Sequence, residues 1–89
     1  MPNLKRLEEA REWLRHAGED LEAAEILVAA DRPRPRQALF HAQQAVEKSL
    51  KAFLVAHGVS YPLTHNLTLL MDLCAEIETS LLELVRPVV

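Results

Sequence analysis

Arg36-Gln37-Ala38-Leu39-Phe40-His41-Ala42-Gln43-Gln44-Ala45-Val46-Glu47-Lys48-Ser49-Leu50-Lys51-Ala52-Phe53-Leu54-Val55-Ala56-His57 runs without a glycine or a proline and ends at Gly58. Placed at helical intervals of about 100° per residue, it divides into two faces. Ala38, Leu39, Ala42, Ala45, Val46, Leu50, Ala52, Phe53 and Leu54 fall on one broad arc, and Phe40, His41, Gln44, Glu47, Lys48 and Lys51 fall on the other side. Such a pattern is that of an amphipathic helix, with Gly58 supplying a left-handed C-terminal cap. Ala38, Ala45 and Ala52 recur every seventh position and form an edge that a second helix can approach closely.

That second helix lies upstream. From Leu4, the residues Leu7, Ala10, Leu14, Ala17, Leu21, Ala24 and Val28 alternate steps of three and four, the seam of a long helix reaching about Ala30. Gly18 interrupts its propensity at a cost of about 1 kcal/mol relative to alanine, and marks either a close helix contact or a mild bend. Asp31-Arg32-Pro33-Arg34-Pro35-Arg36 separates the two helices, because each proline removes a donor and pushes its predecessor out of helical geometry.

Downstream of a Val59–Leu63 loop, Thr64 or Asn66 is placed to N-cap a third helix carrying Leu67, Leu70, Met71, Cys74 and Ile77 on one side. Ser80-Leu81-Leu82-Glu83 has capping-box spacing and predicts a fourth, short helix stopped by Pro87. The expectation is therefore a single all-α domain over residues 1–89: an antiparallel bundle of two long helices plus one or two short C-terminal ones. Leu and Ala, 28 residues together, outnumber the 12 Val, Ile and Thr, which supports helix over sheet. A chain this short buries only about 60% of its surface, so a second copy or a partner protein is expected to cover the remaining apolar face.

The net charge of −3 gives no bulk case for wrapping nucleic acid or coating an anionic membrane. Its distribution is more telling: residues 1–31 sum to −4, residues 32–57 to +4 and residues 58–89 to −3, which directs any anionic ligand to the middle segment. The lone Cys74 forbids an intrachain disulfide and fits a reducing compartment. The N-terminus lacks the apolar stretch of a secretory signal, and no apolar run approaches the roughly 18 residues of a membrane span. A cytoplasmic protein without membrane association is expected.

No cofactor is expected either. His16, His41, His57 and His65 show no metal-ligand spacing, and Gly18 and Gly58 are too isolated to cradle a phosphate. Cys74 falls on an apolar helix face, where a thiol is ordinarily inert. The polar flank of the second helix is open to two accounts. It is a solvated face on which the Glu47–Lys51 pair contributes about 0.3–0.5 kcal/mol; or it is a pocket in which Lys48 and Lys51 meet a phosphate, Gln44 reads a base or ribose edge and His65 hydrogen-bonds beside them. His65 also fits a purely structural role at the start of the third helix. Arg32, Arg34 and Arg36 alternate with prolines on an extended stretch that suits a solvated linker or an RNA contact equally.

The segment Ala38–Leu54 resembles the AxQQAxEKxLKA helix of HEPN domains, and Thr64-His65-Asn66-Leu67 resembles their THxL step. Trp13-Leu14-Arg15-His16-Ala17 and Asp20-Leu21-Glu22-Ala23-Ala24 are similar to the family's opening helix, so the likeness spans about residues 10–73. It implies a small helical bundle that commonly dimerises and is often encoded beside a minimal nucleotidyltransferase in toxin–antitoxin-like pairs. It also implies association with nucleotides or RNA, carried at the matched positions Gln44, Glu47, Lys48, Lys51 and His65. Catalytic members cut RNA with an Arg-x4–6-His motif, usually followed by x-Tyr and placed toward the C-terminal helix. In that chemistry the histidine moves protons at the 2′-hydroxyl or leaving oxygen, and the arginine stabilises phosphate charge.

Three formal matches occur here, Arg11 to His16, Arg34 to His41 and Arg36 to His41, against about one expected by chance. None has a tyrosine two positions after the histidine. Arg36 and His41 are thus the weak catalytic candidates. Family members usually continue into a substantial last helix, whereas this sequence reaches only Arg86-Pro87-Val88-Val89. The expectation is a HEPN-like, C-terminally short, nucleotide- or RNA-associated protein, the toxin-like partner of a minimal nucleotidyltransferase, without a convincing catalytic site. The alternative is a non-enzymatic helical module that dimerises or binds another protein.

Overall fold

The computed structural model describes the backbone of residues 3–85 and the side-chain surroundings of residues 3–79. Three helices follow in order: α1 (Leu4–Ala29), α2 (Pro35–Ala56) and α3 (Leu67–Val85). The ends follow from local chemistry. Asn3 N-caps α1 by accepting from the Arg6 amide at 3.2 Å. Pro35 opens α2 at the first helical position, where its missing N–H would have been unpaired in any case. The turn between them is tied by the Arg34 amide donating to the Leu27 carbonyl at 3.0 Å. Gly58 takes φ 74°, the expected left-handed cap, and Asn66 caps α3 by accepting from the Leu69 amide at 3.1 Å.

The two long helices lie antiparallel along an alanine seam. Ala10, Ala17 and Ala24 of α1 and Ala38, Ala45 and Ala52 of α2 are all buried; Ala10 clusters with Ala52 and Val55 at one end, and Ala24 sits beside Ala38 at the linker end. Small side chains let the helix axes approach closely. As a result, the larger apolar residues expected in the seam are displaced to its edge. Leu14 is 53% exposed, Leu21 51%, Leu39 59% and Val46 47%, and Leu7 and Val28 are exposed with them. The alternating pattern is thus real, but only its alanine half faces the partner helix. Ala42 and Leu50, both half-buried, mark the transition from the seam to this exposed apolar edge.

α3 packs on α2 alone among the described residues. Leu70 is fully buried, as is Leu54 of α2, and the Cys74 thiol donates to the Leu50 carbonyl at 3.6 Å. Two expectations for this region need correction. Met71 points outward, with Leu73 half-buried in its stead. The fresh start at Ser80 does not occur: α3 continues through it to Val85, because a capping box acts only where the preceding chain is extended, and residues 67–79 are already helical. The stop expected at Pro87 lies outside the described residues. No described helix is long and apolar enough to cross a membrane.

Candidate functional site: a polar groove opposite the apolar one

The face of the α1–α2 pair opposite the exposed leucines is polar. At its centre, Asp20 of α1 reaches α2 twice. One carboxylate oxygen lies 2.9 Å from His41 Nδ1, and the other accepts from Lys48 Nζ at 2.5 Å. Burial alone would raise the Asp20 pKa, but hydrogen bonds from Lys48 and His41, reinforced by their charge, overcome it and hold the carboxyl below its ordinary value. Asp20 thus clamps two turns of α2 to α1.

A second cluster surrounds Glu47 and Lys51, one helical turn apart on α2. The sequence leaves this flank either a solvated face or the wall of a pocket; Glu47 and Lys51 are both buried, at 4% and 7% exposure, so neither stands on a solvated face. Glu47 Oε1 lies 2.8 Å from His65 Nδ1, while its other oxygen stands 3.8 Å from Lys51 Nζ. The Lys51 ammonium lies 5.3 Å from the Trp13 ring centroid and 5.7 Å from that of Tyr61, and the two rings meet edge to face at 5.6 Å. The Tyr61 hydroxyl completes the arrangement by donating to Glu9 at 3.1 Å. Desolvation of this ion pair is offset by the ring faces and the imidazole, so the cluster joins α1, α2 and the loop before α3.

Between the two clusters, Glu9, Glu12, Trp13, His16, Lys48 and Tyr61 line a concavity of about 470 Å³. His65, whose sequence position does not establish proximity to α2, is brought to Glu47; Lys48 lines the groove, whereas Lys51 is buried against the Trp13 and Tyr61 rings and does not line it; Gln44 is half-buried on the same helix. Trp13, Tyr61 and Asp20 are not among the site residues expected from sequence. Trp13 and Asp20 lie seven residues apart on α1, but no spacing announces which residues of a second helix they meet.

Arg36 and His41 are not brought together. Five positions apart on a continuous helix, they point about 140° away from each other around its axis. His41 faces Asp20 and meets the Phe40 ring edge to face, whereas Arg36 is exposed in the first turn of α2. The group beside His41 Nδ1 is a carboxylate, which suits interhelix fastening.

An all-α pair of long antiparallel helices packed along an alanine seam and fastened by polar clusters on one side, with a third helix docked on the second, defines the class of protein. A family model for the HEPN domain matches residues 10–87, and the chain belongs to that family. No curated protein and no solved structure matches it at a significant level.

Proposed function

We propose that this HEPN domain is the nucleotide- or RNA-associated, non-cleaving member of a toxin–antitoxin-type pair with a minimal nucleotidyltransferase, acting in the cytoplasm as a self-associating module. The observation that carries the ligand half is the concavity beside Trp13 and Tyr61, where two aromatic rings stand next to Lys48 and His16. Rings of this kind stack on any nucleobase. Glu9 and Glu12 on the same rim repel a polyphosphate, so the recognised part is the base and ribose. The non-cleaving half of the reading is supported by the pairing of His41 with Asp20 and the divergence of Arg36 from it around the helix.

Trp13 is the sole tryptophan, so its fluorescence reports this groove directly. Titration with adenosine, AMP, ATP and a short single-stranded RNA should give saturable quenching, strongest for ligands of low charge, with the RNA left intact. No quenching at millimolar ligand would remove the ligand half. RNA cleavage that disappears in His41→Ala, with folding retained, would restore the nuclease reading.

A second reading, an interaction module with no ligand, is favoured by one specific feature: the cations around the groove are already matched. Lys48 is paired to Asp20, Lys51 to Glu47, and Arg15 to Glu12 and Glu19 at 2.9 and 2.6 Å. The same titration separates the two. Co-purification with a co-expressed minimal nucleotidyltransferase tests the pairing itself.

A further inference from the structure

The apolar groove on the other face is lined at its middle by Leu14, Ala17, Gly18, Leu21, Ala45 and Val46, enclosing about 540 Å³. Gly18 is its least explained residue. A Cβ built there meets nothing within 4 Å, so no neighbour in the chain requires glycine, although glycine weakens the helix. Its φ is not positive, so no turn requires it either.

Two charges stand one heptad on either side of it. Arg11 and Glu25 are exposed, lie on the same stripe of α1 as Gly18, and take part in no ion pair among the described residues. Other charges of α1 differ: Glu12, Arg15 and Glu19 lie farther round the helix and pair with one another, and hydrogen bonding to Arg15 holds the Glu12 carboxyl below its ordinary value. The stripe of Arg11, Gly18 and Glu25 is adjacent to Leu14 and Leu21 by i,i+3 and i,i+4 spacing.

We propose that a second copy of this chain occupies the groove by antiparallel α1–α1 packing, with a two-fold axis passing at Gly18. The axis maps each residue to one equally far beyond Gly18 in the partner, which sets Arg11 against Glu25 of the second copy, and Glu25 against its Arg11, about 10 Å on either side. Leu14 and Leu21 of each copy flank the glycine notch of the other, which lets the backbones approach. An unrelated partner helix would have no reason to match a charge pair symmetric about a glycine. This inference rests on the self-associating part of the proposed function and specifies where the association occurs.

The test uses charge reversal and cross-linking on the full chain. Sedimentation at micromolar concentration should show wild-type dimers. Arg11→Glu and Glu25→Arg should each weaken self-association about tenfold or more by placing like charges together, while an equimolar mixture of the two should recover dimer, because every cross pair is then opposite in sign. Gly18→Cys in a Cys74→Ser background should form a symmetric disulfide rapidly on mild oxidation, since the two backbones meet there. Circular dichroism serves as the folding control for all variants. A monomeric wild type would overturn self-association altogether. A dimeric wild type with no cross-link at residue 18 and no response to charge reversal would leave self-association standing and overturn this geometry.

Discussion

Asp20 is the residue on which the α1–α2 interface depends most sharply, because it answers two cationic or donor groups from one largely buried position. Asp20→Asn should lower the unfolding free energy by about 1–3 kcal/mol in denaturant titration, the cost of leaving Lys48 without its carboxylate. The pH dependence has a definite sign. The folded carboxyl is held below its ordinary value, so its stabilisation is complete above the unfolded value of about 3.9 and is lost as pH falls through the lower folded value. The difference between wild type and Asp20→Asn should accordingly be full above about pH 5 and should narrow below about pH 4; a difference constant down to pH 2 would contradict the assignment. None of this is legible in the sequence. Asp20 reads as one acid among eight in the first 31 residues, and its partners lie 21 and 28 positions away. Burial of Glu47 and Lys51 is hidden for a related reason: the polar arc of α2 is covered by Trp13 and Tyr61, which only the fold brings there.

Helix boundaries, by contrast, are readable, since each is decided by residues within a turn of itself: Asn3, Pro35, Gly58 and Asn66. Ser80 shows the limit of such signals, as a capping motif carries no weight inside a helix already formed. The two glycines should behave oppositely. Gly18→Ala adds a methyl into open space and should raise monomer stability at high dilution by up to about 1 kcal/mol in thermal melts. Gly58→Ala combines a left-handed backbone with a Cβ that overlaps the Arg6 guanidinium, and should cost about 1–2 kcal/mol. Arg6→Ala in the second background should recover part of that loss by clearing the space, leaving the backbone strain.

At the level of the molecule, stability is unevenly distributed. α1 and α2 share the alanine seam and two polar clusters, while α3 rests on α2 through Leu70, Leu54 and Cys74. Amide exchange should therefore find α3 opening at lower free energy than the α1–α2 pair, and uniform protection across all three would refute that order. The Cys74 thiol, its pKa raised by burial, should react with alkylating reagents at a rate that tracks this opening. The seam itself carries a consequence for sequence drift. Alanine has almost no volume to surrender, so Ala10, Ala17, Ala24, Ala38, Ala45 and Ala52 can vary in only one direction without cost to spacing, toward glycine, and that direction weakens both rods. Any bulkier replacement would wedge the pair apart along its whole length and pull Asp20 out of reach of His41 and Lys48. Six of the plainest residues in the chain are thereby the least free to change.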